Sequence, residues 1–210
     1  IGFIVVINKK YRLNTMRIIL IAVVLILSLQ SFTKADDIRD FEIEGMTVGD
    51  SLLNYISLND IKIAEENPSY YKDNKYVTVF IKKELSQYQD LQVVYNPNDI
   101  KYIIHEIKGT VDFEDNIEKC KVTREQILKS VVNLFPNAEN IPEVKEHEYD
   151  QSKQSIVYST WLFPKKGGFI HLACTDWGEE MYKKHLWVDN LEVVIGSEEF
   201  RRFLTYEAYK

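Results

Sequence analysis

Two alternating runs, "SIVYSTWLF" at 155–163 and "GFIHLACTDW" at 168–177, are joined by Pro164 to Gly168, a connection with two glycines. A link that short cannot carry a crossover, so the two strands must pair antiparallel. The same grammar recurs earlier. Val77, Val79 and Ile81 alternate in "YVTVFI", and Leu91, Val93 and Tyr95 alternate in "LQVVY". Ile103, Ile107, Val111 and Phe113 share one face of a longer run, and "NPND" before it is a turn signal. "NLEVVI" is a further strand.

Helical spacing breaks this pattern in a few places. Ile127, Leu128, Val131, Leu134 and Phe135 form one face of a helix expected over about 116–135. Asp115 with Glu118 resembles a capping box at its start. A short helix is expected over 50–56, with a further turn after Ser57, and Ser197 caps a last helix whose Phe200, Phe203 and Leu204 face inward. The expected order is α-β-β-β-α-β-β-β-α. That is an α+β domain, an antiparallel sheet of about six strands with helices on one face. Gly and Pro are sparse, 8 and 5 of 210 residues, and argue against long disordered linkers. The stretch 136–154, with two prolines and many charges, either marks a seam between two halves or is a long loop.

The N-terminus speaks to destination. Ile1 to Thr15 read as sequence upstream of a gene. Met16 to Ala35 read as a secretory signal: Arg17, an apolar stretch from Ile18 to Leu29, then Thr33 and Ala35 at the small-residue positions of a cleavage site. Cleavage between Ala35 and Asp36 is expected, leaving 36–210 as one domain; the alternative is an uncleaved N-terminal anchor. No cysteine lies near the cleavage point, so lipid attachment there is excluded. Five of the 26 basic residues and none of the 32 acidic ones precede Asp36, so the formal charge moves from −6 to −11. Such a chain repels nucleic acid and anionic lipid at long range. A periplasmic or secreted location follows, with no nucleic-acid partner and no stable membrane anchor after cleavage.

Chemistry is harder to find. Gly49-Asp50-Ser51-Leu52 spells the motif of a family of serine esterases. A nucleophilic serine needs a base within reach. None of His105, His147, His171 and His185 has an aspartate three residues before it, no Gly-x-Asn-Asp block exists, and "FEIEGMTV" is not a buried strand. The motif reads instead as a helix start, with Asp50 as cap, and no catalytic residue is assigned. "HLACTDWGEEMYKKHLW" gathers His171, Asp176, Glu179, Glu180 and His185, ligand types for zinc or a hard cation, but at no recognised ligand spacing. A mobile acidic loop is the expected meaning, and no metal or cofactor is assigned. "EHE" at 146–148 reads as a solvated charge run. His105 shares parity with Ile103 and Ile107 and is expected on the core face. Trp161, Trp177 and Trp187 are either core residues or pocket walls.

Cys120 and Cys174 carry a sharper signal. Cys120 stands one heptad before Ile127 on the apolar side of its helix, and Cys174 shares the parity of Ile170 and Leu172. Both point at one helix–sheet interface, and an exported chain with two thiols is expected to join them. The alternative is two buried free thiols.

In "DFEIEGMTVGDSLLNYIS", "VDFEDNIEKCKVTREQIL" and "CTDWGEEMYKKHLWVDNLEVVIGSEEFRRFL" the chain resembles a group of small exported proteins of marine alphaproteobacteria that carry no assigned activity. The resemblance implies that the Gly-Asp-Ser turn and both cysteines belong to the scaffold. "IEGMTVGDSLL" is also similar to the glycine-then-helix entry of small envelope-assembly factors. Together these readings point to a non-enzymatic domain that binds a protein or envelope component. The second reading is a hydrolytic, metal-assisted enzyme using the Asp176–His185 segment.

Overall fold

The computed structural model describes residues 35–66 and 68–208, so the segment read as upstream sequence and all of the signal but Ala35 lie outside the described residues. One antiparallel sheet of eight strands organises them, in the order β1-β2-β3-β4-β8-β7-β6-β5. The strands are β1 Ser69–Tyr70, β2 Val77–Phe80, β3 Asp90–Tyr95, β4 Ile104–Glu114, β5 Glu139–Glu146, β6 Ile156–Phe163, β7 Phe169–Asp176 and β8 Asp189–Gly196. The α-helices are α1 Leu58–Ala64, α2 Ile117–Leu134, α3 Glu179–His185 and α4 Glu198–Tyr206. The sheet is therefore two four-stranded meanders. They meet where β4 lies against β8, from Glu106 opposite Gly196 to Glu114 opposite Asp189.

The α+β class and the antiparallel pairing match expectation; the count of six strands and the element order do not. The two additional strands are the edges. β1 is two residues long, and β5 is almost wholly exposed, so neither has a buried face to impose an alternating pattern. β5 occupies 139–146 within the stretch read as a seam or loop. α3 is the other addition. It buries only Met181, too little for helical periodicity to be seen.

Helices cover both faces of the sheet, not one. On the first face, Cys120, Ile127 and Val131 of α2 and Phe135 just after it pack with Leu172 and Cys174 of β7, Leu191 and Val193 of β8, and Val93 of β3. On the opposite face, Phe200 and Phe203 of α4 pack with Tyr76, Val94, Phe169 and Val194. Alternation along β8 places Leu191, Val193 and Ile195 in the first core and Val194 in the second. α4 can cross to the second face because Gly168 and Gly196 let it approach the β6–β7 turn. Gly168 has φ +83°, and a Cβ there would stand 2.7 Å from the Gly196 carbonyl oxygen. Its N–H donates to Glu198 Oε2 at 3.0 Å.

Several local details differ from the sequence reading. Leu52–Asn54 is a single 3₁₀ turn, and its cap is Ser51, whose hydroxyl accepts from the Leu53 N–H; Asp50 accepts from the Tyr55 hydroxyl instead. The cap of α2 is Asn116, accepting from the Lys119 N–H, in place of Asp115. Ser57 caps α1 with a reciprocal bond to Asp60, and Ser197 caps α4 as expected. Between β3 and β4 the register slips: Val94 faces Glu106 while Tyr95 faces Ile104. His105 is the extra residue of this bulge, so it turns to the α4 face, 5.0 Å from the Tyr76 ring and 3.2 Å from Ser197 Oγ. Cys120 and Cys174 stand at disulfide distance, with Cα atoms 6.0 Å apart, tying α2 to β7.

Candidate functional site

The positions singled out in the sequence disperse in space. Ser51 donates to the Lys101 carbonyl oxygen at 2.6 Å and has no histidine partner, so its surroundings are those of a turn and not of a nucleophile. His171 lies on β7 stacked on Trp161, ring centroids 3.9 Å apart, and burial pushes its imidazole down to about 4. Asp176 ends β7, Glu179 is bonded to Lys183 at 2.6 Å, and Glu180 is exposed. His185 stacks on Trp187 at 4.4 Å. Among the described residues, no group of three or more His, Cys, Asp or Glu side chains could hold a metal ion. The segment read as a mobile acidic loop is the helix α3.

That helix instead builds a cleft. Gly178 opens α3 directly after β7, and Leu186, in the left-handed conformation at φ +58°, ends it with its N–H bonded to the Tyr182 carbonyl. The chain folds back so sharply that Trp177 before the helix and Trp187 after it come together, ring centroids 4.6 Å apart. Beneath them β4 ends at Glu114, whose φ of +56° turns the chain toward α2, and β8 begins opposite it at Asp189. The result is a cavity of about 570 Å³ at one end of the sheet. Its walls are Trp177, Tyr182, Trp187 and Val188; its carboxylates are Glu114, Asp115, Glu179 and Asp189; none of its lining residues is basic.

A second layer holds this geometry. Asp150, in the β5–β6 loop, is buried and accepts from the N–H and hydroxyl of both Ser152 and Ser155, which keeps its carboxyl below the ordinary carboxylate range. Ser155 Oγ in turn accepts from the Gly178 N–H at 2.9 Å, fixing the start of α3. The same loop places His147 against Trp177, centroids 4.4 Å apart, and Tyr149 against Trp187 at 5.4 Å. His147 is thus half-buried in an aromatic stack and is not part of a solvated charge run.

Compared with protein-family models, curated proteins and solved structures, the chain matches none.

Asp189 is buried and accepts from the Trp177 N–H at 3.1 Å. Burial raises its carboxyl above the ordinary range, and Asp176 and Asp115 push it the same way. Burial likewise raises Asp176, with Lys121 opposing and Asp115 and Glu118 adding to the shift. The cleft gathers four carboxylates between aromatic faces, and of these Glu179 is ion-paired with Lys183. No serine, cysteine, histidine or lysine lines it; its charged groups are the four carboxylates. Sequence reasoning quoted these residues but missed their convergence, because Glu114 and Trp187 meet only through the pairing of β4 with β8. The tryptophan pair flanking a nine-residue segment, Trp177 and Trp187, was the available signal.

Proposed function

We propose that this chain is an exported, non-enzymatic domain that binds a protein or another component of the cell envelope, and that it binds through the cleft between α3 and the β4–β8 junction. The observation that carries this reading is the cleft itself. Three aromatic side chains and four carboxylates line one cavity, and its walls are braced by the Asp150–Ser155–Gly178 hydrogen bonds. Concave sites with a few convergent polar groups are where ligands bind. The cysteine pair supports export: a disulfide between Cys120 and Cys174 persists in an oxidising compartment and is rare elsewhere. A periplasmic or secreted location, with the chain starting at Asp36, fits the same reading.

The test is site-specific photo-cross-linking in the native envelope. A cross-linker at Leu186, on the rim and 74% exposed, should trap a partner. One at Ile100, 86% exposed in the β3–β4 loop at the other end of β4, should not. Trp187→Ala should abolish the Leu186 adduct. Equal adducts from both positions, or an adduct indifferent to Trp187→Ala, would remove the cleft from the function.

A further inference from the structure

We infer that the cleft recognises an organic cation, an ammonium or guanidinium group, held between the faces of Trp177, Tyr182 and Trp187 and balanced by Glu114, Asp115 and Glu179. This rests on the binding reading above and names the chemistry of the group bound.

Three observations carry it. The first is composition: aromatic faces present negative charge density to whatever lies above them, and the carboxylates add formal charge of the same sign. An anion or a phosphate would be repelled by every charged lining residue. The second is spacing. Among the described residues no three ligand side chains converge tightly enough for a metal ion. Glu114 and Asp115 approach from the end of β4 and Glu179 from α3, so the charge surrounds a volume far larger than a bare ion. A bulky cation, its charge spread over methyl or methylene groups, fills both the volume and the field. The third is that this negative charge is only partly relieved internally. Lys183 reaches Glu179, but among the described residues no ion pair engages Glu114, Asp115 or Asp189, and Asp189, raised chiefly by burial, is pushed further the same way by Asp176 and Asp115. A cation entering the cleft relieves that repulsion while exchanging water for ring faces.

The chemistry has two natural sources, a free ammonium solute or a lysine or arginine side chain of a protein, and the probes separate them. Tryptophan fluorescence and calorimetry of the purified protein would follow titration with choline, with its uncharged isostere 3,3-dimethylbutanol, with glucose, and with a short lysine-containing peptide. Choline or the peptide should bind saturably, and the isostere should bind at least about tenfold more weakly. A tighter peptide assigns the site to a protein side chain; tighter choline assigns it to a solute. Glu114→Gln combined with Asp115→Asn should weaken the cation at least about fivefold without moving the melting temperature. Glu114 keeps its backbone conformation and Asp115 is not the α2 cap, so neither change removes a structural bond. The inference is overturned if the isostere or glucose binds as well as the cations, if no cation binds, or if the double variant binds unchanged. Should the Leu186 adduct persist and remain sensitive to Trp187→Ala while no cation binds, the cleft binds a partner by other chemistry, and only this inference fails.

Discussion

Ser51 uses its hydroxyl twice, donating to the Lys101 carbonyl and accepting from the Leu53 N–H. Ser51→Ala should therefore cost about 1 kcal/mol by urea denaturation, the usual value of a lost cap, with no change in ester hydrolysis. Two other residues set opposing pH responses on the α4 face. His171 is held down to about 4 by burial, so between that value and its ordinary 6.5 the unfolded chain binds more protons, and its contribution is lost as pH falls through that window. Glu106 is raised to about 7 from 4.5, by burial first, with Lys108 opposing and Glu192 assisting. There the folded state binds more protons, and stability falls as pH rises from 4.5 to 7. Denaturation midpoints across this range should show His171→Gln flattening the acid side and Glu106→Gln flattening the neutral side. Residue parity announced that His105 is buried, but not that it turns to the α4 face. One inserted residue at a bulge reverses the face of everything on one side of it, and nothing in "YIIHEI" marks where the insertion falls.

Elements are legible in the sequence in proportion to what they bury. β7 and β8 are flanked by cores on both faces and their apolar runs were unmistakable, as was the α2 stripe. β5 shows nothing of the kind, because every side chain but one is exposed. Its protection is chemical. Pro142 lies opposite Thr160, and lacking an N–H it keeps the ladder only with its nitrogen on the solvent side. That leaves a gap in the row of donors a second chain would need. Pro142→Thr should restore the donor, and light scattering should detect concentration-dependent self-association that the parent lacks. The link between α2 and β7 is the other property of elements. A disulfide closing 54 residues of chain contributes about 4 kcal/mol in the chain-entropy model. Reduction should accordingly lower the melting temperature by roughly 10 °C, and Cys120→Ser should do the same. Two alkylatable thiols in protein taken directly from its compartment would contradict the bond.

At the scale of the whole molecule the sheet has a gradient of protection. β4, β8 and β7 are paired on both sides and covered by α2, whereas β1 and β5 have one partner each. Amide exchange should be slowest in those three strands and fastest in β1 and β5; uniform protection would contradict the topology. The α+β class could be read from short turns and periodicity alone, yet the side of the sheet that α4 covers could not. Amphipathic spacing says that Phe200 and Phe203 face inward without saying which inside they face. The cleft escaped for a related reason, since its walls are brought together by long-range strand pairing. That pairing also imposes an order in time. β8 is the last strand in the chain and one of the two at the centre of the sheet. A polypeptide delivered N-terminus first finishes β4 at Glu114 and then waits roughly eighty residues, on the order of ten seconds of synthesis, for the strand that covers its open side. No N-terminal fragment ending before 189 can complete the sheet. The period of greatest vulnerability to misassembly thus falls late in the birth of the chain, and a factor that shields β4 until residue 196 emerges would have its largest effect there.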